Sequence, residues 1–170
     1  MNRIAEFEKV SFSEFLSSWQ KIFPNDDNAT IEQIYKNIII PYRATKGSAG
    51  YDFFSPIDFT LSSQQTLLMP TGIRIKIEEG WFLGVFPKSG LGFKYRLQLD
   101  NTTGIIDSDY YYSDNEGHIF VKLTNDSKTP KDLIIKKSQS ICQGILLAYG
   151  ITYNDDVKEI RNGGLGSTTK

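Results

Sequence analysis

Cysteine and histidine are scarce in this chain, with one of each among 170 residues, Cys142 and His118. A lone cysteine closes no disulfide within the chain, and beside a lone histidine it cannot furnish the nitrogen and sulfur ligands of a zinc site. Cys142 lies in the apolar run ICQGILLAY, where a thiol acts as a small hydrophobe, so a reducing cytoplasm is the expected location. Long apolar runs are also missing. No stretch nears the roughly 18 consecutive apolar residues of a membrane span, and the opening MNRIAEFEKVSFSEF holds no apolar signal core, so no membrane partner is expected. Charge of one sign is not in excess either. Lys and Arg number 19 against 20 Asp and Glu, net -1, which offers no basic footprint for a polymeric nucleic acid. Repeats are absent as well. What remains is a chain of one-domain length whose nucleotide ligands are expected to be small.

The chain opens with helical periodicity. Phe12, Phe15, Leu16, Trp19 and Phe23 recur at spacings of three and four, predicting a helix over 10–23 with Ser11 or Ser13 as its cap. After the turn formers of 24–28, a second helical pattern spans 29–38. Residues 1–38 therefore read as a short N-terminal helical extension. Its apolar stripe is too large for water, so it is expected to pack on the barrel or between subunits, the alternative being a protein partner docked on these helices. Beyond residue 39 the texture becomes β-branched and aromatic, in runs such as TGIRIKI, WFLGVF and SICQGILLAY divided by Gly, Pro, Asn and Asp. This predicts an all-β domain over 39–160, a sandwich or barrel. The last ten residues, RNGGLGSTTK, read as a flexible Gly-rich tail over 161–170.

Four polar segments interrupt the strand-like text. RATKGSAGYD offers Asp52, a hard oxygen donor suited to a magnesium ion or its water shell, although for the segment alone a β-turn with Asp52 capping backbone amides is the plainer reading. In FPKSGLGFKYR, Ser89 and the glycines at 90 and 92 present donors beside Lys88, Lys94 and Arg96, as a phosphate requires; a Gly-rich hairpin with solvated cations is the plainer reading. LDNTTGIIDSDYYYSDNEGHIF carries Asp107 and Asp109, two apart and so on one face if the strand continues, where one carboxylate can act as general base for water. In the tail, Arg161, Ser167 and Thr168 surround glycines able to fold over a phosphate. His118 reads as a strand-edge residue.

In this order and spacing, SAGYD, PTGI, PKSGLGFKYRLQLDNTTGIIDSDY and GGLGST resemble the motifs of the trimeric all-β dUTP pyrophosphatases (dUTPases), from about Pro41 to Thr168. The resemblance implies a distorted jelly-roll β-barrel, assembled as a homotrimer whose sites are shared among chains. It implies hydrolysis of dUTP to dUMP and pyrophosphate with Asp107 as general base. Asp52 would face the water shell of a magnesium ion (Mg2+), while Lys88, Ser89, Gly90 and Gln143 would lie near phosphate. Asn101, with Gly104 and Ile106, would read uracil, and Tyr110 would pack on deoxyribose and leave no room for a 2′-hydroxyl. Arg161, Leu165, Gly166, Ser167 and Thr168 would close the tail over a neighbour's site and clamp the γ-phosphate.

The chain departs from the family pattern at Lys88, within the fourth motif at Ser138, Ser140 and Cys142, at Leu165, and in the spacing of Arg161, which stands one residue closer to Leu165 than in many relatives. Lys88 stands where arginine is usual, losing a planar fork. Ser140 replaces the arginine of the fourth motif, and Leu165 replaces an aromatic that stacks on uracil. These changes imply an active enzyme with altered phosphate and uracil contacts. Two other readings are a dCTP deaminase-type relative, disfavoured by the uracil-type motif, and a nucleotide-binding regulatory protein with weak catalysis.

Overall fold

The computed structural model describes residues 2–159 and Arg161. In strand β5 (Ile73–Ile77) the three isoleucines are buried, while Arg74 and Lys76 occupy the opposite face. Strand β1 (Ala5–Lys9) lies antiparallel along it, with Phe7 opposite Ile75. Residues 1–38 are thus not wholly helical, as the periodicity after residue 10 implied; the segment AEFEK alternates with period two and pairs the backbone groups that β5 would otherwise leave to water.

Helix α1 (Phe12–Ile22) is capped by Ser11, whose hydroxyl accepts the Glu14 backbone N–H at 3.2 Å. Helix α2 (Asn28–Lys36) is capped in the same way by Asp27, which accepts the Thr30 N–H at 2.7 Å. Both expected helices are therefore present, with slightly different ends. Val10, Phe15, Trp19 and Ile31 are fully buried in one apolar cluster with Phe53, Ile75, Leu83 and Ile141. The stripe packs on the β domain, as anticipated.

The remaining strands are β2 (Tyr51–Phe54), β3 (Phe59–Leu61), β4 (Thr66–Pro70), β6 (Trp81–Pro87), β7 (Leu97–Leu99), β8 (Gly104–Ile106), β9 (Phe120–Asn125), β10 (Leu133–Ile135) and β11 (Ser140–Ala148). Every strand pairing is antiparallel. The sheets run β2-β11-β6-β8, β4-β9-β7, β10-β3 and β1-β5. The chain is mostly β, in the arrangement of a distorted jelly roll; among the described residues the sheets share a core without closing into one continuous barrel. The start of β11 is buried as its composition predicts, with Ile141 and Cys142 fully enclosed, and burial pushes the Cys142 thiol pKa far up.

Two polar segments take shapes that periodicity did not predict. SGLGFKY forms a short helix, α3 (Ser89–Tyr95), instead of a hairpin, and Arg96 ends it in the left-handed region at φ 51°. Strand β8 stops at Ile106, and Ser108–Tyr112 winds into a 3-10 turn. Asp107 and Asp109 are therefore not strand neighbours on one face. The chain returns from this turn through Gly117 at φ +72°, where a Cβ would sit 2.7 Å from the Tyr111 Cα. Only glycine fits there without strain.

Candidate active site

Two clusters of the expected residues form in different places. The first grows from the end of β8. A cavity of about 170 Å³ is lined by Asn101, Gly104, Ile106, Asp107 and Tyr110, and Arg161 also borders it. Gly104 is opposite Val85 of β6, so close that a Cβ would lie 3.2 Å from the Val85 Cβ; a bare backbone keeps this wall flat. Tyr110 is buried, and its hydroxyl donates to the His118 carbonyl at 2.8 Å.

Asp107 stands at the entrance of this cavity with about half its side chain exposed, at 47%. Burial raises its carboxyl pKa, Arg161 lowers it and Asp109 raises it again, with burial prevailing. Arg161 donates through one terminal nitrogen to Asp107 and through Nε to Asp109 at 2.9 Å. The two acids converge on one guanidinium by way of the 3-10 turn, in place of the shared strand face expected from their spacing. Arg161, anticipated as a phosphate clamp, here pairs with carboxylates of its own chain.

The second cluster straddles β2, β11 and β6. Register sets Gln143 between Asp52 and Phe86. The Lys88 ammonium donates to Asp52 Oδ1 at 2.5 Å, and Gln143 donates to the Pro87 carbonyl at 3.1 Å. A Cβ on Gly50 would meet Gln143 Oε1 at 2.5 Å, so the bare glycine leaves room for this amide to lie against the turn. Lys88 and Ser89 border an open hollow of about 470 Å³ that continues along α3 and β7, and Gly90 follows in the helix.

The two hollows share no lining residue. They adjoin along β6, at Val85 and Pro87, and at Asn101 and Thr102. Leu165, Gly166, Ser167 and Thr168 lie outside the described residues. Among the described residues no three His, Cys, Asp or Glu side chains converge on a point where they could hold a metal. A lone carboxylate already engaged by an ammonium, as Asp52 is, suits contact with the water shell of a hard cation better than direct ligation.

Sequence reasoning missed the residues behind Tyr110. Asn115 donates to the Tyr110 hydroxyl at 2.8 Å, and His118 is fully buried instead of lying at a strand edge. The buried state of His118 follows from partners far away in the chain, on α1, and no local pattern announces it.

Fold and clusters together define a class: an antiparallel β protein with a partly buried carboxylate beside a small base-sized cavity, and a cationic patch bearing a hydroxyl in an adjoining hollow. The dUTPase family model matches residues 36–169. The chain is 37% identical over 139 residues to the deoxyuridine 5'-triphosphate nucleotidohydrolase of Lactococcus lactis, covering 79% of this chain and 91% of that protein. It is 40% identical over 147 residues to the protein of the same name from Dictyoglomus turgidum, covering 81% and 95%. A solved dUTPase structure from Streptococcus mutans, 27% identical, superposes with a TM-score of 0.63 over 86% of this chain and 97% of that one. The chain belongs to the dUTPase family.

Proposed function

We propose that this protein is a dUTP diphosphatase, hydrolysing dUTP to dUMP and pyrophosphate in the cytoplasm. The observation that carries the reading is the Asp107 carboxylate at the mouth of the cavity formed by Asn101, Gly104 and Tyr110. Water attacks the α-phosphorus and passes a proton to Asp107 as the bond to the pyrophosphate oxygen breaks. Asn101 and the backbone near Gly104 and Ile106 receive uracil, and the Tyr110 ring packs against deoxyribose. Lys88, Ser89, Gly90 and Gln143 meet the phosphates. Asp52 would face the water shell of a magnesium ion, which would neutralise triphosphate charge when bound. Arg161 exchanges its two carboxylates for phosphate oxygens as substrate binds, which frees Asp107 to accept a proton; Leu165, Gly166, Ser167 and Thr168 are the further substrate-binding residues of this reading.

Membership of the dUTPase family supports a homotrimer with shared active sites. Phosphate contacts and the Asp107 cavity then come from different subunits.

The test is pyrophosphate release from dUTP, dCTP, dTTP and UTP, with and without magnesium, alongside ammonia release from dCTP. Turnover of dUTP above that of each competitor is expected: dCTP presents a mismatched edge to a site that hydrogen-bonds uracil, UTP carries the 2′-hydroxyl that the Tyr110 ring excludes, and dTTP adds a C5 methyl. Ammonia from dCTP, or tight dUTP binding without hydrolysis, overturns the reading. The pH profile gives a second prediction. The base must be ionised, and burial raises Asp107 above the ordinary 3.8, so activity is expected to fall on the acid side at a pH above that value. An acid limb at or below it contradicts Asp107 as the base.

A further inference from the structure

The Tyr110 hydroxyl points into the protein. It donates to the His118 carbonyl and accepts from Asn115, each at 2.8 Å, so the ring alone is left for a ligand and its place is set from behind. The loop that makes these bonds is in turn fastened to the N-terminal segment at three points. Tyr111 donates its hydroxyl to Glu8 Oε2 at 2.8 Å. Ser11 donates its backbone N–H and its hydroxyl to the two oxygens of Glu116, at 2.7 and 2.6 Å. His118 Nε2 accepts the Gly72 N–H at 2.9 Å, so Nδ1 carries the proton and donates to Glu14 Oε1 at 3.2 Å. Burial pushes the His118 pKa down against the opposing pull of Glu14, in keeping with a neutral ring.

We propose that the β1–α1 segment positions Tyr110, with Glu14 acting through His118 as a positioning residue for discrimination between dUTP and UTP. The inference rests on the dUTPase reading above. A ring that excludes a 2′-hydroxyl works by close contact, and displacement by a fraction of an ångström opens the space it guards. Glu14 and the turn it steadies are about a hundred residues apart in the chain, so nothing local to the GIIDSDY motif supplies this support.

The experiment measures kcat and KM for dUTP and UTP in the full-length protein and in Glu14→Ala, Glu14→Gln and Tyr111→Phe. Glu14→Ala removes the acceptor for the buried imidazole N–H, and the dUTP-over-UTP ratio of kcat/KM is expected to fall about tenfold. The change should come from better use of UTP and a higher KM for dUTP, with kcat for dUTP retained. Glu14→Gln keeps an acceptor oxygen and should restore the ratio. Tyr111→Phe spares the fold should Glu14→Ala not fold, and should shift the ratio in the same direction by less. A wild-type chain that releases no pyrophosphate from dUTP overturns the dUTPase reading and this one with it. Wild-type turnover with an unchanged ratio in the variants overturns the positioning role alone, as does a loss of kcat that follows thermal stability equally in Glu14→Ala and Glu14→Gln.

Discussion

Asp107→Asn is expected to lower kcat for dUTP by about 10²- to 10⁴-fold while leaving nucleotide affinity nearly unchanged. The amide has the shape of the carboxylate and keeps an oxygen that can accept from Arg161, so the entrance of the cavity stays in place. What it lacks is the ability to take a proton from water. The side chain is about half exposed, so the substitution leaves no buried hole. The effect on stability has a definite sign. The folded-state pKa of Asp107 is raised, so its protonation favours the fold below the unfolded value, and that contribution is lost as pH rises through the folded value. At neutral pH the wild type thus holds an ionised carboxylate where a neutral group is preferred, and Asp107→Asn should unfold at the same temperature or slightly higher. Pyrophosphate release, titration calorimetry with a non-hydrolysable dUTP analogue and thermal melting check the three parts. Retention of the wild-type rate removes Asp107 from the mechanism.

Trp19→Ala is expected to destabilise the chain by about 3–5 kcal/mol, the usual range for truncating a buried tryptophan. The indole is fully buried, its ring 4.6 Å from that of Phe23 and 5.1 Å from that of Phe15 between centroids, and its N–H donates to Asp26 at 2.8 Å. The substitution opens a cavity and removes the hydrogen bond to Asp26, whose carboxylate is partly exposed and is left to water. Domains have about 5–15 kcal/mol in total, so much of that reserve is spent at one position. Urea unfolding followed by tyrosine fluorescence and circular dichroism measures it, and a midpoint unchanged from wild type would show that α1 is only loosely laid on the sheets. Removal of residues 2–38 goes further, because it also strips β1 from the edge of β5 and uncovers Ile75 and its neighbours. That truncation is expected to aggregate, whereas a helix pair kept only for a partner would leave a folded remainder.

The two predictions concern features of different legibility. Asp107 could be read from GIIDSDY and its companions because the chemistry depends on residue types in a fixed order along the chain. Trp19 could be assigned to a buried stripe because helical periodicity is local. The strand at Ala5–Lys9 was hidden because five residues of alternating sequence next to a strong helical pattern carry little signal until a partner strand is known. Helix α3 was hidden because its two glycines, at 90 and 92, weaken helical propensity, and tertiary packing overrides so weak a preference.

Sequence alone determined the mostly-β class, the two helices and the buried thiol of Cys142, since each rests on local composition, and the order of motifs pointed to the dUTPase family. Only the tertiary structure decided that Lys88 meets Asp52, that Arg161 lies across Asp107 and Asp109, and that Glu14 reaches His118 behind Tyr110. These are side-chain pairs between 36 and 104 residues apart. Their distances follow from sheet register and helix packing, and the hydrophobic burial that sets both is a property of the whole core, which no single segment encodes.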